Sequence, residues 1–168
     1  MKNIKFIPVR MSHLKNLHKI VNDPEVSRFI SITPPLPFKL KAELFASSMK
    51  IKNPWWVIKY EGNIAGSMSL MRACRSHGLK KMGHVASIGI TIAQKYWGLG
   101  IGTVAIRFML SEGRKLGFKR IELEVVSTNR RAYALYKKLG FKKEGVHKRR
   151  FKIEGRYEDS IAMAKWIG

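Results

Sequence analysis

The sequence predicts an α/β fold built on a mixed sheet that contains a parallel strand pair, and three observations carry that expectation. Ile121-Glu122-Leu123-Glu124-Val125 alternates apolar and polar residues, the period of a strand with one buried and one polar face. An apolar run, Val85 to Ile92, precedes it by one helix-length segment, and strand, helix, strand at that spacing implies a parallel crossover. Trp55 to Tyr60 and Ile64 to Met71 flank Glu61-Gly62-Asn63, which reads as a hairpin.

The remaining elements follow in order. Ile4 to Val9 reads as a strand, and a helix begins at about Ser12, an N-cap candidate, with Leu14, Leu17, Ile20 and Val21 at helical spacing. Thr33-Pro34-Pro35-Leu36-Pro37 breaks the chain before a second helix over about 38–50, whose expected buried positions are Phe38, Leu44, Phe45 and Met49. Arg72 to Gly83 is a basic loop, and Gly89 is a candidate bulge in the apolar strand. Between 101 and 117 one stripe holds Ile101, Val104, Ala105 and Phe108 and another Arg107, Ser111 and Arg114, with Gly117 ending the helix. Asn129 caps a helix with Ala132, Leu135, Tyr136 and Leu139 on one side, and Gly140 stops it. Strands around Phe141 to Val146 and Ser160 to Lys165 close the mixed sheet.

A length of 168 residues predicts a single domain, 1–168. The first residues lack the apolar run of a signal peptide and no run is long enough to span a membrane, so a soluble, cytoplasmic protein is expected. Cys74 is the lone cysteine, and the histidines at 13, 18, 77, 84 and 147 show no metal-ligand spacing. The net charge is +22. The excess peaks over 130–152, where ten Lys and Arg face only Glu144. That segment is either a solvated basic face or a surface for polyanions such as RNA or a phosphorylated cofactor.

Gln94-Lys95-Tyr96-Trp97-Gly98-Leu99-Gly100-Ile101-Gly102-Thr103 joins the apolar strand to a helix through three alternate glycines. Glycines let backbone approach a ligand, and a helix start offers unpaired N–H groups, so the stretch is either a phosphate cradle or a tight strand-to-helix connection. It is not a P-loop, because no Gly-Lys-Ser/Thr follows. As a dinucleotide fingerprint it fails at Thr103, and Glu122 lies too early in its strand to hold a ribose.

From about 84 to 146 the chain resembles the acyl-CoA-binding half of the GNAT N-acetyltransferase superfamily, and among its members the ribosomal-protein N-terminal acetyltransferases. Trp97-Gly98-Leu99-Gly100-Ile101-Gly102 corresponds to the family's Arg/Gln-x-x-Gly-x-Gly/Ala loop. Asn129, Ala132, Leu135, Tyr136, Gly140 and Phe141 match its Asn-x-x-Ala-x-x-Leu-Tyr-x-x-x-Gly-Phe motif, and Tyr157 to Met163 resembles its last strand. The N-terminal eighty residues fit only by element order. The resemblance implies a mostly antiparallel sheet whose central parallel pair is splayed to hold acyl-CoA, with helices on both faces. It implies direct acetyl transfer from acetyl-CoA, as co-substrate and without a metal, to a primary amine.

In that scheme backbone N–H groups from about Leu99 to Thr103 hold the pyrophosphate. Trp97 stands where Arg or Gln is usual and Gln94 where Pro is frequent, and Trp97 is free to pack beneath the loop. Ile90 and Ile92 occupy the positions whose backbone polarises the thioester carbonyl. Tyr136 takes the place of the acid that protonates the departing thiolate, for which a phenol is suited. Glu124 is the candidate base, against the alternatives of a carboxylate paired with surface cations or of a relaying water; Glu122 shares its face. Asn129 serves as cap and as a hydrogen-bond partner for the pantetheine arm, and some of Arg130, Arg131, Lys137 and Lys138 lie toward the cofactor's 3′-phosphate. Polyamines and aminoglycosides are repelled by a protein of this charge, and only Asp23, Glu25 and Glu43 gather near the expected acceptor side. A protein or peptide amine is therefore the expected acceptor, on an acidic or ribosome-associated partner, with a small-molecule amine or a non-catalytic acyl-CoA- or RNA-binding role as alternatives. A homodimer is one assembly open to it.

Overall fold

The computed structural model describes residues 3–50, 53–73 and 80–168. Cys74, His77 and much of the expected basic loop lie outside the described residues. Among the described residues the sheet has seven strands in the order β1-β2-β3-β4-β5-β7-β6. They are β1 (Ile4–Pro8), β2 (Trp55–Tyr60), β3 (Asn63–Arg72), β4 (Val85–Ile92), β5 (Arg120–Val126), β6 (Lys142–Ile153) and β7 (Arg156–Trp166). β4 and β5 are parallel, as expected, while β1–β2, β2–β3, β5–β7 and β6–β7 are antiparallel. The helices are α1 (Leu14–Val21), α2 (Pro24–Ser27), α3 (Phe38–Lys50), α4 (Ile101–Lys115) and α5 (Arg130–Lys138). The chain forms two compact units, Met1–Met71 with Gly89–Ala105 and Arg72–Ile88 with Ile106–Gly168.

In the first unit Val9, Leu14, Leu17, Phe45 and Val57 form the core. Ser12 is not the cap of α1. It lies within a 3-10 turn, Met11–His13, that precedes the helix, and there His13 Nδ1 accepts from the Arg10 N–H at 3.0 Å. Asp23 instead caps a short helix the sequence reading missed, accepting from Glu25 N at 2.9 Å with Pro24 at the first helical position. The expected burial of α3 is corrected at three positions. Only Phe45 of the expected set is buried, while Phe38, Leu44 and Met49 are exposed. Phe38 and Met49 sit at the helix's two ends, and Phe38 meets the His18 ring edge-on at 5.4 Å instead of the core. The helix buries Lys41 in their place, its Nζ 5.2 Å above the Trp55 ring. The β2–β3 turn places Glu61 and Gly62 both at positive φ, the geometry of a type I′ hairpin.

The stripe of α4 is wider than expected. Ile101 and Ala105 are buried as expected, but Val104 is exposed and Ile106, Met109 and Leu110 are buried as well, and Gly113 sits close against Ile121 and Ile167. Both predicted helix stops hold. Phe118 N bonds Gly113 O at 2.9 Å and Gly117 N bonds Arg114 O at 3.0 Å; Phe141 N bonds Tyr136 O and Gly140 N bonds Lys137 O, each at 3.0 Å. Each pair is a Schellman motif, and at α5 its customary apolar contact is Tyr136 against Phe141, ring centres 5.7 Å apart. The last two strands are longer than expected and meet at a Glu154-Gly155 turn with both residues at positive φ, so the basic run 147–152 lies within β6.

Candidate active site

The glycine stretch belongs to the first unit. After Ile92 a 3-10 turn, Gln94–Tyr96, leads to Trp97 in extended conformation, and then Gly98 and Gly100 adopt φ of 78° and 80°. A Cβ at either glycine would meet nothing within 4 Å, so the left-handed backbone, not crowding, demands them. Left-handed residues leading into a helix turn successive N–H groups toward one side, the geometry of an anion nest. Gly100 O accepts from Thr103 N at 3.1 Å and Val104 N at 3.3 Å. Thr103 therefore offers its hydroxyl rather than its N–H, while Ile101 and Gly102, the first two helical residues, have N–H groups with no intrahelical acceptor. These residues fit a pyrophosphate by backbone alone.

Trp97 does not turn its side chain to that role. Its indole N–H donates to Ile92 O at 2.8 Å and its ring faces Phe29 at 6.4 Å, so it ties the loop back to the end of β4. Ile90 and Ile92 are half-buried there. β3 comes close at the same end: a Cβ at Gly66 would lie 2.0 Å from Thr91 O.

The second unit supplies the ionisable groups. The β4–β5 ladder runs from Val85↔Arg120 to Ser87↔Glu122, where Ser87 Oγ donates to Glu122 at 3.2 Å. Two residues on, Glu124 Oε1 accepts from Ser160 Oγ at 2.5 Å, lies 2.7 Å from His147 Nδ1 and 3.5 Å from Arg150 Nε. Burial pushes the Glu124 carboxyl up, but the Ser160 and His147 hydrogen bonds and the Arg150 charge together hold it below the ordinary glutamate value. Glu124 is thus ionised at neutral pH, paired with cations as one of the alternatives had it, and hydrogen-bonded to an imidazole that can itself carry a proton. His147 and Ser160 were not legible as partners, because only the register His147↔Ser160 beside Val126↔Ser160 brings them to Glu124.

Tyr136 is 8% exposed, and burial pushes its phenol up to about 12. Among the described residues its hydroxyl has no hydrogen-bond partner, and none links it to Glu124. An uncommitted phenol that stays protonated can give its proton to a thiolate. Asn129 Oδ1 accepts from Ala132 N at 3.1 Å, the expected cap. The amide N–H groups of Asn129 remain for a ligand carbonyl. Arg130, Arg131, Lys137 and Lys138 are exposed on α5.

Residues 3–142 match the family model described as Acetyltransferase (GNAT) domain. The chain is 26% identical over 163 residues to the spermidine N(1)-acetyltransferase of Escherichia coli (strain K12), spanning 96% of this chain and 84% of that one. Among solved structures, the spermidine N-acetyltransferase from Vibrio cholerae in complex with CoA and spermine superposes with a TM-score of 0.86 at 23% identity, over 97% of this chain and 95% of that one. The ribosomal-protein-alanine N-acetyltransferase from Brucella melitensis does so with 0.84 at 21%, over 96% and 99%. At such identities these two likenesses bear on the fold alone. The family match over most of the chain and the glycine loop that ends in a helix start together make this protein a member of the GNAT acetyltransferase family, an N-acetyltransferase that uses acetyl-CoA.

Proposed function

We propose that the acceptor is the amine of a protein or peptide, and that the observation supporting this is how the carboxylates are spent. Glu25 pairs with Arg28, Glu112 with Lys115, Glu122 and Glu144 with Arg120, Glu124 with His147 and Arg150, and Asp159 with Lys148. Asp23 is occupied as a helix cap. The four remaining carboxylates, Glu43, Glu61, Glu154 and Glu158, have no ion pair among the described residues and are spread over α3, the β2–β3 turn, the β6–β7 turn and β7, whereas a polycation needs several unengaged carboxylates together to offset its repulsion from a chain of +22. A peptide α-amine brings one positive charge and ordinary pKa near 8, so it needs only one proton acceptor.

In this reading Ile101 and Gly102 hold the pyrophosphate of acetyl-CoA with their N–H groups, and Asn129 orients its amide arm. Glu124 and His147 take the ammonium proton, and Tyr136 protonates the departing sulfur. The co-substrate supplies the activated acetyl group; the chain supplies orientation and two proton transfers. A second reading, a small polyamine as acceptor, is favoured by the likeness to the E. coli spermidine enzyme. Thiol release from acetyl-CoA across a panel of N-terminal peptides, amino acids and spermidine separates the two: the peptide reading requires the highest kcat/KM with a peptide, and turnover of spermidine alone would replace it.

A further inference from the structure

Strand β6 carries an irregularity that the chemistry above leaves unused. Its register slips between His147↔Ser160 and Phe151↔Glu158, so Lys148, Arg149 and Arg150 stand opposite the single residue Asp159. Arg149 sits at φ 52°, a region side chains rarely adopt. Asp159 holds it there, Oδ1 accepting from Arg149 N at 2.9 Å and Oδ2 from Lys148 Nζ at 2.8 Å. Backbone held in such conformations by its surroundings clusters at ligand-binding sites.

The bulge presents its side chains to solvent while keeping one of them at the candidate base. Lys148 is 79% exposed and Arg150 57%, and Arg150 Nε lies 3.5 Å from Glu124 Oε1, the longest of that oxygen's three contacts. Lys148, Arg149, Arg150 and Lys152 set four cations against the three carboxylates Glu124, Glu158 and Asp159, a local excess of +1 with His147 counted neutral. That excess suits one anionic group. A track of phosphates would find half of these cations already engaged.

Resting on the reading of a peptide acceptor, we infer that the Lys148–Arg150 bulge recognises a carboxylate side chain close behind the acceptor amine, so that the preferred acceptor is an acidic N-terminus. An extended peptide advances about 3.5 Å per residue, so with its amine at Glu124 and His147 its second or third residue lies within reach of the bulge. A carboxylate there takes up the unbalanced positive charge. It also competes for Arg150, leaving Glu124 Oε1 with a lone pair for the incoming ammonium.

The test compares kcat/KM for the peptides Ser-Asp-Glu-Ala-Ala and Ser-Asn-Gln-Ala-Ala at low and high salt, with wild type and an R149Q/K152Q double variant. Two exposed charge pairs of up to about fivefold each predict an acidic preference of several-fold, up to about 25-fold, for wild type at low salt. The preference should lie in KM, shrink as salt screens it, and fall to within about twofold in the double variant. Equal use of both peptides by wild type overturns the inference and leaves the peptide reading standing. Turnover of spermidine with neither peptide used overturns the peptide reading and the inference with it. A preference that survives in the double variant assigns it elsewhere in the chain and also overturns the inference. Should the double variant prove less folded by thermal melt, the salt dependence of the wild-type ratio decides alone, and a salt-independent ratio counts against the bulge. No peptide preference together with binding of a single-stranded RNA oligonucleotide assigns the surface to nucleic acid instead.

Discussion

Tyr136→Phe isolates one atom of the reaction. The ring is buried against Phe141 at 5.7 Å and remains in the variant, while the hydroxyl has no protein partner among the described residues to lose. Folding should therefore change by no more than about 0.5 kcal/mol, the range of substitutions that break no packing or network. The chemical step should suffer far more. General-acid catalysis is worth about 10²–10⁴-fold, or roughly 3–5 kcal/mol, so kcat should fall by at least about a hundredfold with CoA affinity unchanged. Because burial holds the phenol at about 12, wild-type kcat should show no alkaline loss from this group near 10, where a free tyrosine ionises. Thiol release at saturating substrates, calorimetric titration with CoA and a thermal melt provide the three readouts. A Phe variant with kcat within about twofold of wild type refutes the assignment, and so does an alkaline limb near 10 that vanishes in the variant.

Glu124→Gln keeps the shape but removes the proton acceptor, and kcat/KM should drop about tenfold or more at pH 7 in stopped or continuous thiol assays. The folded pKa of Glu124 is depressed, so its ionised form adds stability that is complete above the ordinary glutamate value near 4.3 and lost as pH falls through the lower folded value. Acid melts of wild type and variant should converge at the low end of that window. Asn129→Ser retains an oxygen for the Ala132 N–H but loses the amide donors, so titration should show CoA binding weakened about fivefold with the melting temperature held. Lys41→Met replaces a buried ammonium, for which the described residues provide the Trp55 ring and no ion pair or hydrogen bond, by an apolar chain of similar length. Relief of desolvation should outweigh a cation–π contact of about 1–2 kcal/mol and raise the melting temperature by about 2–4 °C at pH 7. Burial pushes the Lys41 pKa down, so wild type binds fewer protons folded than unfolded and gains stability as pH rises between the two values; the variant's advantage should shrink toward pH 10.

Where a signal was local, it was legible in the sequence. Alternation marked β5, Gly117 and Gly140 marked helix stops because Schellman closure needs a residue that accepts positive φ, and Asn129 marked a cap because its side chain reaches only its own helix. The apolar faces were harder. Ile101 to Leu110 is apolar on two sides, and packing such as that of Gly113 against Ile121 and Ile167 consists of contacts that periodicity does not contain. Phe38 and Met49 have the right phase but lie at the ends of α3. At the site, the glycine loop and Tyr136 came from contiguous motifs, whereas His147, Arg150 and Ser160 reach Glu124 through strand register and a slip of three residues against one. The Glu154-Gly155 turn is a local signal for pairing β6 with β7, but the slip lies beyond the regular register from Phe151 to Ile153 and the turn does not encode it.

The claim that this GNAT acetyltransferase modifies a peptide amine is tested most directly by tandem mass spectrometry. The protein is incubated with acetyl-CoA and an equimolar mixture of spermidine and Ser-Asp-Glu-Ala-Ala, and both acceptors are analysed. One acetyl group on the serine α-amine, with spermidine largely unmodified, is the predicted result. Acetylated spermidine beside an unmodified peptide would contradict it.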